Sequence, residues 1–221
     1  MHISVDAVLF DLDGTLIDSA PDLAGAVNDM RRARAMPALP TEELRPMVGS
    51  GARGMVGQAF GVQPADAEFL SLRDEFLQRY EARMTLETVV FPAMLPVLET
   101  LARARLPWGI VTNKADRFSR PLVSAMPALD DAATLVCGDT TPHAKPHPAP
   151  LLEAARRMGI EATRCIYVGD DLRDVQAGKA AGMATIAVRW GYLGGGAAIE
   201  TWGADHVIDS PGDLLKLLAM A

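Results

Sequence analysis

Two aspartates one residue apart, Asp11 and Asp13, end an apolar run and open a polar, glycine-containing turn, Asp11-Leu12-Asp13-Gly14-Thr15. Thr112 and Asn113 follow a second apolar run, and Gly169-Asp170-Asp171 with Asp174 follow a third. Lys145 lies in a loop beyond another such run. Carboxylates brought together repel, so a site made of them requires a cation or strongly shifted protonation. With no histidine or thiol beside them, these oxygen donors point to a hard divalent ion. Mg²⁺ suits them best, since it keeps several waters and is usually shared with a substrate phosphate.

The elements that must carry these residues follow from periodicity. Val5-Asp6-Ala7-Val8-Leu9-Phe10 reads as a short buried strand that breaks at the aspartate turn. Ser19 with Asp22 three residues on resembles a capping box, and Leu23, Ala26, Val27 and Met30 then hold helical spacing. Thr41 before Glu42-Glu43 starts a second helix, Met55-Val56-Ala59-Phe60 forms a third ending at Gly61, and Phe69, Leu72, Phe76 and Tyr80 mark a fourth. Residues 16–90 are thus expected to be helical throughout.

From Phe91-Pro92 onward short apolar runs alternate with helices. The strands are expected at Trp108–Thr112, Thr134–Cys137, Cys165–Val168, Ala184–Val188 and Val207-Ile208. Between them lie helices such as Leu151-Leu152-Ala155-Met158, closed by Gly159, and a final one capped by Ser210 with Pro211 in its first turn. Such alternation predicts an α/β fold, a Rossmann-like, doubly wound parallel sheet. The organisation expected is a core of residues 1–15 and 91–221 with an inserted all-helical cap of residues 16–90. In an open parallel sheet ligands bind beyond the carboxyl ends of the strands, which is where the polar residues fall.

Composition narrows the partners. The 221 residues carry 21 Lys+Arg against 28 Asp+Glu, a formal net charge of -7, which leaves no basic field for a nucleic acid. The 49% hydrophobic share suffices for a real core. Cys137 and Cys165 are far apart, without metal-ligand spacing, and read as reduced core residues. No apolar run reaches the roughly 18 residues of a membrane helix, and the start lacks a signal-like pattern. A cytoplasmic, soluble protein acting on a small molecule, as a monomer or homodimer, is the expectation.

Gly49-Ser50-Gly51-Ala52-Arg53-Gly54 matches G-x-G-x-x-G, yet the segment before it reads helical where a dinucleotide site needs a strand. Its alternative use is to present Arg53 to a substrate carboxylate, which a guanidinium binds bidentately. His143 and His147 are four apart, but Pro146 between them argues against a shared helix face and so against a metal pair. The stripe Phe69, Leu72, Phe76 and Tyr80 reads as cap core, and Trp190 and Trp202 read as packing residues.

Taken in order, these motifs resemble the haloacid dehalogenase superfamily of phosphatases over the whole chain. The DxDGT signature is Asp11-Leu12-Asp13-Gly14-Thr15, the second motif looks like Val111-Thr112-Asn113, the lysine motif like Lys145-Pro146, and the acidic motif like Gly169-Asp170-Asp171-Leu172-Arg173-Asp174. Asp18-Ser19-Ala20-Pro21-Asp22-Leu23 and Lys145-Pro146-His147-Pro148 look like the phosphoglycolate phosphatase subgroup. Trp108-Gly109-Ile110-Val111-Thr112-Asn113-Lys114 with the acidic motif is similar also to N-acetylmuramic acid 6-phosphate phosphatases.

The resemblance implies a Mg²⁺-dependent phosphatase that works through an aspartyl-phosphate on Asp11. Asp13 would act as general acid and then base, and Lys145 would neutralise charge. Thr112, Asn113 and the turn residues Gly14 and Thr15 would hold the phosphoryl group. The metal ligands implied are Asp11, Asp13 through its backbone carbonyl, and Asp170, with Asp171 as the alternative and Asp174 supporting from behind.

The substrate expected is a small carboxylate-bearing phosphate ester, 2-phosphoglycolate first and N-acetylmuramic acid 6-phosphate second. Phosphonatases need a cap lysine, and there is neither lysine nor histidine between Leu16 and Val90; the same absence argues against a sugar-phosphate mutase. Dehalogenases lack the second aspartate that Asp13 supplies. A catalytically silent regulatory subunit would be expected to have lost a motif residue, and none is missing.

Overall fold

The computed structural model describes residues 3–194 and 196–220. In chain order the elements are β1 (Ala7–Phe10), β2 (Ile17–Asp18), α1 (Ala20–Ala33), α2 (Thr41–Leu44), α3 (Gly51–Phe60), α4 (Phe69–Glu81), β3 (Val89–Val90), α5 (Leu95–Arg103) and β4 (Trp108–Val111). There follow α6 (Asp116–Ser124), β5 (Leu135–Val136), α7 (Ala149–Met158), β6 (Cys165–Gly169), α8 (Leu172–Ala180), β7 (Ala184–Val188), β8 (His206–Ile208) and α9 (Pro211–Leu217). They form two compact units, one of Met1–Ile17, Val90–Gly191 and Ala197–Ala221, the other of Asp18–Val89 and Tyr192–Gly196.

The first unit is built on a six-stranded sheet of order β5-β4-β1-β6-β7-β8, parallel at every pairing. The α/β parallel sheet expected from strand and helix alternation is therefore observed. Ala7, Val8, Leu9 and Phe10 of β1 are all fully buried, as a central parallel strand covered on both faces requires. One face packs Leu9, Val111, Val136 and Tyr167 against Leu151, Ala154 and Ala177 of the helices. Phe10 and Trp108 meet edge to face at 6.0 Å between ring centroids. Gly159 closes α7 in the left-handed conformation (φ 69°), and Ser210 forms a capping box with Asp213 at α9, both as the sequence indicates.

The second unit contains α1, α2, α3 and α4, with α1 packed on α3 and α4. Phe69, Leu72, Phe76 and Tyr80 are all buried, so the stripe is core, and Phe76 stacks on Tyr80 at 6.3 Å. Gly61 ends α3 with φ 71°, as expected.

Two expectations for residues 16–90 fail. The segment is not helical throughout, because β2 and β3 pair with each other; two residues each are too few for a periodic signal. The capping box at Ser19 does not form. Asp22 turns inward, fully buried, and accepts from the Thr88 hydroxyl (2.7 Å), the Thr88 N–H (2.8 Å) and the Glu87 N–H (3.0 Å). A carboxylate satisfied by a distant segment is lost to the local cap. Thr41 likewise starts only one α-turn, which continues as a 3₁₀ helix over Arg45–Ser50. Among the described residues no helix is long and apolar enough to cross a membrane.

Candidate active site

The site lies in the first unit, where β1, β4 and β6 end. Asp11 follows Phe10, Thr112 follows Val111 and Asp170 follows Gly169, so three adjacent strands deliver their polar residues to one edge. The order β4-β1-β6 places the strand that is first in sequence between two that come much later. This reversal of strand order is where open α/β sheets form their ligand crevice.

Lys145 is 5% exposed and organises the site. Its Nζ lies 2.8 Å from Asp11 Oδ1, 2.7 Å from Asp174 Oδ1, 2.8 Å from the Tyr167 hydroxyl and 3.1 Å from the Val111 carbonyl. Burial alone would lower the pKa of this lysine, but the Asp11 and Asp174 carboxylates outweigh it and raise it above the ordinary value. The ammonium is therefore permanent. Asp11 has the opposite environment: burial pushes its carboxyl up to about 7, with Lys145 pulling it down and the Asp174 and Asp13 charges adding repulsion.

Asn113 splices the lysine loop onto β4. Its Oδ1 accepts from the Lys145 N–H (2.8 Å) and its Nδ2 donates to the Lys145 carbonyl (2.9 Å). Expected to bind substrate, it is seen here placing Lys145.

The doubled aspartate resolves by helix capping. Asp171 is the N-cap of α8, accepting from the Arg173 N–H at 2.8 Å, while Asp174 returns the favour to the Asp171 N–H at 3.0 Å. Arg173 also grips both Asp171 oxygens at 2.7 Å. Burial would raise the Asp171 pKa, yet Arg173 holds it below the ordinary value. Asp171 is thus spent on the helix, and it is Asp170 that brings a carboxylate oxygen within 4.8 Å of those of Asp11 and Asp174.

Asp170 is held from two sides. The buried Thr15 hydroxyl donates to its Oδ1 at 3.0 Å, and Gly14 lies so close that a Cβ there would be 2.3 Å from Oδ2. Gly14 also has φ 86°, a conformation costly for any other residue. On another side a Cβ at Gly191 would come within 2.1 Å of the Asp170 Cβ, and Trp190 Nε1 donates to the Thr15 carbonyl at 3.1 Å.

The expectation that Gly14 and Thr15 face a phosphoryl group is corrected in part. The Gly14 N–H donates to Ile17 O at 2.9 Å and the Thr15 N–H to Leu12 O at 3.4 Å, because the turn must close on itself. Replacing Gly14 with alanine should displace Asp170 and weaken the binding of a divalent cation among these carboxylates at least about tenfold, the usual weight of a ligand-supporting contact. Metal titration of the variant checks this, and an unchanged midpoint would refute it.

Two further residues of the site, Tyr167 and Lys114, have no role assigned to them by the sequence motifs. Tyr167 reads as core within an apolar strand, yet its hydroxyl accepts from Lys145 and donates to Val111 O at 2.7 Å; burial first, then Asp174 and Asp11, raises its pKa well above the ordinary value and keeps it protonated. Lys114 forks onto Asp13, with Nζ 2.9 and 3.1 Å from the two carboxylate oxygens. The signal for Tyr167 is its place two residues before Gly169 on β6, on the face that meets Lys145; for Lys114 it is adjacency to Thr112-Asn113. Thr112, 2% exposed, accepts from the Lys114 N–H at 3.1 Å.

Arg53 lies in the second unit, exposed in the first turn of α3. That unit holds eight arginines, at 31, 32, 34, 45, 53, 73, 79 and 83. Seven bind a carboxylate or a backbone carbonyl, Arg31 through Pro37 O and Ala59 O and the others in ion pairs. Among the described residues Arg53 alone has no such partner. The His143 and His147 rings lie 4.4 Å apart, tilted by 38°, and His147 Nδ1 accepts from the Ala149 N–H at 3.1 Å, just ahead of α7.

Three carboxylate oxygens converge here beside one ammonium. A hard divalent cation fits this donor set: it supplies the missing positive charge, and every nearby donor is oxygen.

Comparison with known proteins bears on the same residues. Residues 8–188 match the family of haloacid dehalogenase-like hydrolases. The chain is 40% identical over 220 residues to an N-acetylmuramic acid 6-phosphate phosphatase of Pseudomonas aeruginosa, covering 100% of this chain and 97% of the relative. It is 44% identical over 208 residues to a phosphoglycolate phosphatase of Xanthomonas campestris pv. campestris, covering 94% of each. Among solved structures, one described as a predicted phosphoglycolate phosphatase from Haemophilus somnus superposes with a TM-score of 0.83 at 26% identity, covering 96% of this chain and 97% of that one.

Proposed function

The chain belongs to the haloacid dehalogenase-like hydrolase family and is a phosphoric monoester hydrolase, and from that footing we propose that it is a Mg²⁺-dependent phosphatase for small carboxylate-bearing phosphate esters, 2-phosphoglycolate first. The observation that carries the reading is the buried Lys145 ammonium joining Asp11 to Asp174 beside Asp170.

A phosphate monoester dianion repels a carboxylate, so attack by Asp11 needs positive charge on the phosphoryl oxygens. Lys145 provides one such charge. Mg²⁺, held by Asp11, Asp170 and the Asp13 carbonyl with Asp174 behind, would supply the rest as a Lewis acid when bound. Asp11 attacks phosphorus and forms an aspartyl-phosphate while the ester oxygen departs with a proton from Asp13. Asp13 then removes a proton from the water that attacks phosphorus, and phosphate leaves Asp11. Thr112, whose oxygen already accepts from Lys114, offers its hydroxyl hydrogen to a phosphoryl oxygen. Arg53 is our candidate to bind the substrate carboxylate, since a guanidinium holds a carboxylate bidentately.

A second reading, hydrolysis of N-acetylmuramic acid 6-phosphate, has support of equal weight from the Pseudomonas relative, which the chain matches along its whole length. Phosphate release from the two esters, measured side by side with Mg²⁺ and with EDTA and repeated on Arg53→Ala, separates them. We expect kcat/KM to favour 2-phosphoglycolate, EDTA to reduce turnover at least about a hundredfold, and Arg53→Ala to act mainly on KM. Turnover that survives EDTA would remove the metal from the mechanism. Failure on both esters with hydrolysis of others would remove the substrate class.

A further inference from the structure

The geometry points to Lys114 as a receptor for a substrate carboxylate carried on the carbon next to the ester oxygen, which makes phosphate esters of 2-hydroxy acids the preferred substrate class. This rests on the phosphatase reading above and narrows it.

The site divides two lysines between two aspartates. Lys145 is enclosed, its side chain 3% exposed and its ammonium held by four oxygens. Lys114 sits further out, its side chain 10% exposed beside the 16% of Asp13. Its backbone is pinned: the N–H donates to Thr112 Oγ1 at 3.1 Å, and the carbonyl accepts from Gly138 N at 2.9 Å and Ser119 Oγ at 3.1 Å. A four-carbon stem on a fixed backbone lets the ammonium change partner at small cost.

Asp13 must come within about 2.6–3.2 Å of the ester oxygen to give it a proton. An ammonium that grips both oxygens of Asp13 therefore stands beside whatever the neighbouring carbon of the alcohol bears. It also occupies the oxygen that the proton transfer requires. In 2-phosphoglycolate that carbon bears a carboxylate. When Lys114 turns from Asp13 to this carboxylate an ion pair is kept, and an Asp13 oxygen is released toward the ester oxygen. An ester without the carboxylate offers the ammonium no carboxylate in exchange for Asp13. In N-acetylmuramic acid 6-phosphate the carboxylate hangs on an ether several bonds from the phosphate-bearing carbon and not on the carbon next to the ester oxygen. Lys114 thus rewards one of the two candidate substrates only.

The test compares wild type, Lys114→Met and Lys114→Arg on 2-phosphoglycolate and on ethyl phosphate, a carboxylate-free ester of the same length, at saturating Mg²⁺. Lys114→Met should lower kcat/KM for both, since Asp13 loses its partner. The ratio between the two esters should fall at least about tenfold, the weight of one charge-assisted contact. Lys114→Arg should restore part of that ratio. Glycolate binding by calorimetry, which needs no turnover, should weaken in parallel. An unchanged ratio and unchanged glycolate binding in Lys114→Met would overturn the assignment while leaving the proposed substrate in place. A wild type that does not prefer 2-phosphoglycolate to ethyl phosphate would overturn both.

Discussion

Asp11→Asn is expected to abolish turnover, by at least about ten-thousand-fold in kcat, while leaving the protein folded. An amide oxygen is too weak a nucleophile to form the aspartyl-phosphate, and no neighbouring carboxylate can replace it: Asp171 is bound by Arg173, Asp174 by Lys145 and Asp170 by Thr15. The substitution also makes an unusual stability prediction. Burial raises the Asp11 carboxyl to about 7, above its unfolded value, so the native state binds the proton more tightly than the unfolded chain. Stability contributed by that proton is complete below the unfolded value and is lost as pH rises toward 7. Without divalent cation, Asp11→Asn should therefore melt at or above wild type at pH 8, and the wild-type midpoint should fall more steeply with pH. Retained hydrolysis would end the mechanism; a lower midpoint at pH 8 would show that the Lys145 contact outweighs burial.

Lys145→Met should cost both activity and fold. It strands the Asp174 side chain, 3% exposed, and that of Asp11, 12% exposed, without the ammonium between them. Removing one partner of a buried ion pair costs about 3–5 kcal/mol. For a chain of this size that is a drop in melting midpoint of about 6–20 °C, together with loss of turnover. Adding Asp174→Asn removes one of the orphaned charges, so the double variant should regain several degrees and no activity. If Lys145→Met melts with wild type, the lysine is a surface cation and the network described above does not bind it.

Much of this site was legible because the chain places its polar residues immediately after apolar runs. Asp11, Thr112 and Asp170 each follow the last residue of a buried strand, and period and punctuation alone locate such ends. Lys145 needed only its order in the sequence. What escaped was decided by partners remote in sequence. Asp22 looked like a cap residue until the backbone at 87–88 claimed it. The pairing of β2 with β3 joins segments about seventy residues apart and leaves no local trace. Tyr167 was hidden because its ring belongs to the core and only its hydroxyl to the site. The different use of the two neighbouring aspartates also has a local signature: Asp171-Leu172-Arg173-Asp174 has the spacing of a reciprocal helix cap, which engages Asp171.

The Asn113 amide joins both polar groups of the Lys145 backbone in the way a neighbouring strand would. The lysine's position is therefore surveyed from β4 and not from the path of the chain that leads to it. Between Thr141 and Ala144, beyond the Gly138 N–H that pins the Lys114 carbonyl, the length of the connection is free to drift, because an insertion there is absorbed before the splice and the ammonium still arrives at Asp11. In engineering terms, that connection is a port where new sequence can be added to this enzyme without retuning its chemistry, whereas Asn113, far away in sequence, is the residue that must not be touched.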